Sequence, residues 1–247
     1  MPEAPTFAVP GAPIFAVQRT IPKHNKVPHG WNSLSEAGTV VGDSKFIPIK
    51  CPLSPGKFRY PNNFCLMEFV KHHQQQGRKI GLIIDITNTD RYYDRSDVPF
   101  AVAHKKIFVV GHEKAPGNEC KQFNDIVEKF KETNPDEYIV VHCTHGLNRT
   151  GFMIINYLIE HEEQTVDDAF NAFNTSRSPH GMYNPLFIDE LYEKHNQTNS
   201  ILYRNMTYPE VPGYAMAKIK KLVYKNKLLS KREDSEKYSE LVERYKV

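Results

Sequence analysis

The chain has few cysteines, and they lack the spacings of a disulfide framework or a zinc site. Four cysteines occur among 247 residues, and no two of them form a C-x-x-C pair. A small disulfide-stapled domain or a zinc ribbon would need more cysteines at shorter, regular intervals. The cysteine usage therefore favours a reducing compartment, which means a cytosolic or nuclear protein.

Long apolar runs and a strong net charge are also missing. No window holds 18 consecutive apolar residues, and prolines interrupt the apolar stretch near the N-terminus, which predicts neither a signal peptide nor a membrane span. The net charge of +3, from 32 Lys+Arg and 29 Asp+Glu, is too small for a general nucleic-acid coat. Apolar and charged residues make up 40% and 25% of the chain, which is typical of a soluble globular protein. Any binding of anions must therefore be local.

Three regions of different composition follow one another. Residues 1–26 are rich in proline and predict a flexible tail, with a docking peptide as the alternative. Residues 27–198 have the composition of one globular domain. Residues 199–247 are basic, with 11 Lys+Arg against 6 Asp+Glu from Ile201 onward, and their apolar spacing predicts two helices. The lysines of this basic region form a solvated helix face, contact RNA phosphates or serve as a nuclear import signal. The sequence pattern is compatible with all three interpretations.

Strand and helix patterns alternate through the central region. Continuous apolar runs predict strands, and apolar residues three and four apart predict amphipathic helices. Pro48 places the first strand at a sheet edge. The predicted strands are 46–50, 80–86, 106–110 and 138–142, and the predicted helices are 120–133, 151–163 and two that begin after Thr165 and Asn184. The fold class is therefore α/β, with a twisted, mostly parallel central sheet and helices on both faces.

The segment His142-Cys-Thr-His-Gly-Leu-Asn-Arg-Thr-Gly151 carries the chemistry. Cys143 and Arg149 stand six positions apart between a buried strand and a buried helix, where a loop can aim backbone N–H groups at a phosphate. The helix terminus lowers the pKa of the thiol, so that Cys143 can attack phosphorus as a thiolate. Arg149 can hold two phosphate oxygens, and Thr150 can donate a hydrogen bond to the sulfur. The predicted phosphate-binding loop is completed by Thr144, His145, Gly146, Leu147 and Asn148.

This segment resembles the C-x5-R signature of cysteine-dependent phosphatases, in the narrower form found in the RNA 5′-triphosphatase domain of metazoan mRNA capping enzymes and their stand-alone relatives. Gly81 to Asp94 and Lys106 to His112 are similar to two further blocks of that family. Ser178 to Tyr183 resembles the capping-enzyme arm more than the stand-alone arm. Gly30 departs from the pattern, because the family usually has Arg before this Trp.

The resemblance implies a cysteine-phosphatase fold and a metal-independent enzyme that needs no cofactor. It implies that the substrate is 5′-triphosphate RNA, that the γ-phosphate leaves through a cysteinyl-phosphate intermediate, and that this is the first step of capping in the nucleus, with some enzyme also in the cytoplasm. Expected partners are a guanylyltransferase domain or subunit and the RNA polymerase II machinery. The sequence has no Lys-x-Asp-Gly string for guanylyl transfer. The alternatives are a stand-alone RNA 5′-tri- or diphosphatase and a dual-specificity protein phosphatase.

One expected residue is missing. Protein phosphatases of this superfamily use an Asp about 30 residues before the Cys as a general acid, yet no Asp stands between His104 and Cys120. A polyphosphate leaving group, whose terminal phosphate has a second pKa of about 6, needs a proton donor much less than an alcohol does. The absence favours a polyphosphate substrate.

Four further residues are candidates for supporting roles. Asp85, after a buried strand, orients Arg149 or water, or caps a turn. His142 supports the loop or tunes Cys143. Arg91 and Tyr92 line an RNA entrance, or form a cation–aromatic pair at the surface.

Overall fold

The computed structural model describes residues 25–58, 64–111 and 117–199. Most of the proline-rich tail and of the basic C-terminal extension lies outside these ranges. The two helices predicted in that extension therefore stay predictions.

Four parallel strands form the central sheet of the described chain. They are β1 (Phe46–Ile49), β2 (Ile80–Asp85), β3 (Ala103–Lys106) and β4 (Tyr138–His142). Their order is β1-β4-β2-β3, and all three neighbouring pairs are parallel. β2 is buried along its whole length and β4 nearly so, as their continuous apolar sequences predict. Pro48 is on an edge strand, where its missing N–H disturbs only one ladder.

The third strand differs from its prediction. The apolar run predicted a strand at 106–110, whereas β3 ends at Lys106 and the following residues leave the sheet. Ile107 and Val109 are nevertheless buried in the core. The apolar run therefore indicated correctly that these residues are buried. Burial does not require that a segment pair with a strand of the sheet.

Five α-helices of the described ranges cover the sheet. They are α1 (Leu66–Gln75), α2 (Asn118–Thr133), α3 (Asn148–His161), α4 (Val166–Ser176) and α5 (Pro185–Lys194). The predicted caps are present, since the side chains of Thr165 and Asn184 accept hydrogen bonds from the first turns of α4 and α5. α1 was not predicted, because it buries only Leu66, Phe69 and His73 and its remaining residues are polar. None of the helices in the described ranges is long and apolar enough to cross a bilayer.

Two apolar cores lie on opposite faces of the sheet. α2 to α5 pack on one face, and α1 packs on the other with the N-terminal segment. Alternate residues of β4 enter the two cores, Ile139 on the first side and Val140 on the second. α3 packs against α2, α4 and α5, and it begins three residues earlier than the predicted 151. Arg149 and Thr150 are therefore in the first turn of a buried helix, close to the carboxyl end of β4.

Candidate active site

The loop between β4 and α3 is Cys143 to Leu147, and the end of β1 supports it. The backbone N–H of Cys51 donates to the carbonyl of Thr144 at 3.2 Å. Gly146 has φ of +69° and lies so close to the Ile49 carbonyl that a Cβ atom would collide with it. Only glycine satisfies both conditions, which explains why the loop can curl tightly here.

Cys143 lies at the base of this loop and is 4% exposed. Its backbone N–H donates to Thr150 Oγ1 at 2.9 Å, and the Thr150 hydroxyl in turn donates to the sulfur. Burial raises the pKa of the thiol, but the Arg149 charge, the Thr150 hydroxyl and the backbone amides of Thr150 and His145 outweigh it, and the net pKa is lowered. The site therefore stabilises the thiolate that nucleophilic attack requires.

Replacing Thr150 by valine should raise the pKa of the Cys143 thiol by about one unit, because one hydrogen bond to the charged sulfur is lost. The thiolate is present above its pKa and is lost as the pH falls through it. The acid limb of the activity profile should therefore move to higher pH. The measurement is the iodoacetamide alkylation rate of Cys143 against pH. Thr133→Val, at the exposed end of α2, is the matched control, and an unmoved midpoint in Thr150→Val would contradict the assignment.

Backbone carbonyls and one hydroxyl hold the guanidinium of Arg149. Nη1 donates to the carbonyl of Val109 at 2.8 Å and that of Ile86 at 3.4 Å, and Nη2 donates to Thr144 Oγ1 at 3.2 Å. Gly111 adjoins the same group, since a Cβ there would stand 3.3 Å from the guanidinium carbon. The segments that follow β2 and β3 thus orient the planar guanidinium of Arg149 and hold it beside the phosphate-binding loop.

Asp85 does not orient Arg149. In the described part of the chain no hydrogen bond or ion pair joins the two, and the carbonyls of Ile86 and Val109 hold Arg149 instead. The Asp85 carboxylate accepts from the N–H and hydroxyl of Thr87 at 2.8 and 2.7 Å and from Lys106 Nζ at 2.9 Å. This geometry is the turn cap that the sequence left as the alternative. Burial raises the pKa of Asp85, but His142, Lys106 and the Thr87 hydrogen bond lower it by more than burial raises it. The net pKa is below its usual value, so the carboxylate is ionised.

His142 is fully buried behind the nucleophile. Its Nδ1 is 3.4 Å from the Cys143 carbonyl and 3.8 Å from Asp85, while its Nε2 is 2.7 Å from the Tyr93 hydroxyl. The same hydroxyl is 2.9 Å from Nε2 of His104. Burial lowers the pKa of His142, and it lowers the pKa of His104 to about 4. Both imidazoles are neutral at pH 7. The two ring nitrogens of His142 contact the Cys143 carbonyl and the Tyr93 hydroxyl, not the sulfur, so His142 supports the end of β4 and is not placed to act as a base for the thiol.

The two candidates for an RNA entrance are placed differently. Tyr92 is only 5% exposed, and its ring stacks on Phe58 at 6.2 Å, so it does not line the surface as predicted. It instead borders a cavity of about 190 Å³ with Asp85, Tyr93 and His104. Arg91 is exposed, and its guanidinium lies 4.9 Å from the Tyr92 ring, which is the cation–aromatic alternative. An RNA contact by Arg91 stays a prediction.

Side chains of the loop anchor it to neighbouring segments. The His145 ring contacts the carbonyl of His29 at 2.9 Å, and Leu147 is buried. Asn148 Oδ1 accepts from the backbone N–H groups of Tyr183 and Asn184, each at 2.8 Å. These anchors use side chains of the loop and none of its backbone N–H groups. Within the ranges described, no cluster of three or more His, Cys, Asp or Glu residues could hold a metal ion.

Sequence reasoning missed several residues that build the site. Lys106, Tyr93 and His104 surround Asp85 and His142, and Val109 positions Arg149. The blocks 81–94 and 106–112 contained most of them, but the pattern assigned no role to these side chains.

Comparison with known proteins agrees with this geometry. Residues 66–197 match the dual specificity phosphatase catalytic domain. The chain belongs to that family. It is a phosphatase with the cysteine-phosphatase α/β fold, as the resemblance implied.

Curated relatives fall into two groups. The chain is 36% identical over 194 residues to the mouse (Mus musculus) RNA/RNP complex-1-interacting phosphatase, covering 76% of this chain and 59% of that protein. It is 36% identical over 196 residues to the mRNA-capping enzyme of Caenorhabditis elegans, covering 76% of this chain and 30% of that enzyme. A homologue of the first phosphatase in C. elegans is 34% identical over 68% of this chain and 76% of its own length. The chain thus spans about six-tenths of the mouse relative, and near-equal identities leave the preference for the capping-enzyme arm a prediction.

Proposed function

We propose that this phosphatase is an RNA 5′-triphosphatase, which removes the γ-phosphate of triphosphate-ended RNA. The observation that carries the proposal is a complete cysteine–arginine phosphate loop in a chain that has no Asp between His104 and Cys120 to protonate a leaving group. A diphosphate end leaves as an anion and does not need that proton. An alcohol or a phenol needs it far more.

The reaction proceeds in two displacements on phosphorus. The Cys143 thiolate attacks the γ-phosphorus, an S–P bond forms, and the P–O bond to the β-phosphate breaks with its electron pair on the departing diphosphate end. Water then attacks the cysteinyl phosphate, and inorganic phosphate and the thiolate are released. Arg149 and the amides of the loop hold the equatorial oxygens in both steps. No metal takes part in the proposed steps.

The relatives support an RNA substrate. One group is named for mRNA capping and the other for interaction with RNA or RNP complexes. We extend the proposal to the first step of capping in the nucleus, with a guanylyltransferase domain or subunit and the RNA polymerase II machinery as partners. A stand-alone RNA 5′-phosphatase is the alternative supported by the first group.

An exposed apolar ridge next to Arg149 suits the first nucleotides of an RNA. Phe108 and Val110 are 52% and 53% exposed, and Val109 between them is buried and binds Arg149 through its carbonyl. Lys106 Nζ lies 5.0 Å from the Phe108 ring centre. The exposed Phe108 ring offers a stacking surface to a base of a single strand, while the charge of Lys106 is paired with Asp85.

Release of γ-phosphate tests the proposal. Wild type should release labelled phosphate from γ-labelled triphosphate RNA in EDTA, and Cys143→Ser should not. Release by both proteins, or by neither, would contradict it.

Two further assays, run beside the phosphate-release assay, distinguish the alternative functions. Phosphotyrosine peptide turnover that exceeds RNA turnover would indicate a protein phosphatase. Chromatography of the RNA end, as diphosphate or monophosphate, distinguishes a capping step from a stand-alone tri- and diphosphatase.

A further inference from the structure

Arg177, which caps the C-terminus of α4, is sealed inside the protein beside the phosphate-binding loop. Its side chain is 0% exposed. Nη2 donates to the carbonyls of Ser35 at 3.3 Å and of His145 at 3.4 Å, and the latter belongs to the loop itself. Nε and Nη1 are buried and have no hydrogen-bond partner.

No carboxylate of the described residues balances the charge of Arg177. Within the described ranges no ion pair includes Arg177, and the basic groups near it are Lys50, whose own charge faces Glu36, and His180. The negative group that acts on it is Cys143. Burial lowers the pKa of Arg177 to about 10, against the pull of the Cys143 charge, so the guanidinium remains positive at neutral pH.

A buried cation without an opposite charge normally destabilises a fold. Such a group persists where an anion balances it in the working state of the protein. Here the anions are the Cys143 thiolate and, during turnover, the phosphate held by the loop.

The bond to the His145 carbonyl also orients the loop. The carbonyl of His145 and the N–H of Gly146 belong to one trans peptide and point in opposite directions. When Arg177 draws the carbonyl toward itself, the N–H of Gly146 turns the other way, toward the side on which the phosphate binds. One side chain can therefore set both the shape and the charge of the anion site.

We propose that Arg177 is a positioning residue of this phosphatase, which orients the phosphate-binding loop through the His145 carbonyl and supplies a buried positive charge that the thiolate and the bound phosphate balance. Because the coupling between two charges is reciprocal, Arg177 stabilises the thiolate as much as the thiolate stabilises Arg177. The proposal rests on Cys143 being the nucleophile and does not depend on an RNA substrate.

Charge and structure are separated by two variants, Arg177→Met and Arg177→Lys. The readouts are iodoacetamide alkylation of Cys143 against pH and the shift in Tm on adding orthovanadate, which needs no RNA. Arg177→Met should raise the pKa of the Cys143 thiol by about one unit, which makes the thiolate fraction roughly tenfold smaller at a pH below that pKa. The same variant should lose most of the Tm shift that vanadate causes. Its Tm without vanadate, recorded below the thiol pKa, should equal or exceed that of wild type, because the guanidinium then has no thiolate to balance it. Arg177→Lys should restore most of the thiol reactivity.

The control is Lys131→Met, which removes a cation that pairs with Glu162. Glu162 lies at the C-terminal end of α3 and the loop at its N-terminal end, so this variant should move neither readout. The other titratable groups that face Cys143 are Arg149, Cys51 and His142, and they are unchanged in every variant. An unchanged thiol pKa in folded Arg177→Met, or an equal loss in Arg177→Lys, would overturn the proposal.

If Arg177→Met does not fold, wild type supplies the test. The NMR signal of the Arg177 Nε–H group should shift with pH at the midpoint of Cys143 titration, and this step should vanish in Cys143→Ser. A signal that ignores the titration would overturn the proposal just as directly.

Discussion

Cys143→Ser should lower phosphate release by at least about 10⁴-fold while the protein stays folded. A serine hydroxyl remains protonated at neutral pH, so Arg149, Thr150 and the loop amides that stabilise the thiolate have no anion to stabilise. The loop itself is unchanged, because its hydrogen bonds involve the backbone and the Thr150 hydroxyl. The measurement is kcat for triphosphate RNA and for a small aryl phosphate, with the Tm recorded beside it.

Cys65→Ser is the matched control for this loss. Cys65 is partly exposed and stands at the N-cap position of α1, where serine is a favoured residue. It should keep wild-type activity. Residual turnover by Cys143→Ser within 100-fold of wild type would show that another group attacks phosphorus.

Arg149→Lys should lower kcat by about 10²- to 10³-fold, although the charge is kept. The guanidinium is held by two carbonyls and a hydroxyl, and its planar fork presents paired N–H groups to the phosphate. A lysine ammonium is a point charge that cannot make those contacts and grip two oxygens at once. Steady-state kinetics should place the loss in kcat more than in KM, because the charge on phosphoryl oxygens changes during transfer.

Arg95→Lys is the corresponding control. Arg95 also donates from both ends of its guanidinium to backbone carbonyls, those of Val98 at 3.4 Å and Val102 at 3.0 Å, and lies outside the phosphate loop. It should show a small stability change without a large loss of kcat. Arg149→Lys activity within threefold of wild type would mean that the fork geometry does not matter.

Features carried by short, continuous segments could be read from the sequence. The string from His142 to Gly151 specifies a strand, a loop and a helix within ten residues, so the cysteine, the arginine and the amides between them are brought together by local geometry alone. The N-caps of α4 and α5 are local for the same reason. The family follows from that string and two flanking blocks, and the match over residues 66–197 confirms it.

Contacts between distant segments were decided only by packing. Val109 meets Arg149 across 40 positions, Tyr93 meets His142 across 49, and Arg177 meets His145 across 32. Tyr93 and Val109 lie in the segments that follow β2 and β3, so the first two contacts depend on how separate segments pack, as the register of the strands also does. That is why Asp85 pairs with Lys106 on the neighbouring strand and leaves Arg149 to backbone carbonyls.

The sequence by itself thus determined the predicted nucleophile, the predicted phosphate-binding arginine and the absence of an Asp between His104 and Cys120, because each depends on residue type and short spacing. The tertiary structure decided how the nucleophile is supported. It buried Tyr92, ended β3 at Lys106 and placed behind the loop a guanidinium that forms no ion pair with the described residues. Burial and charge balance are properties of the packed chain, and no single segment contains them.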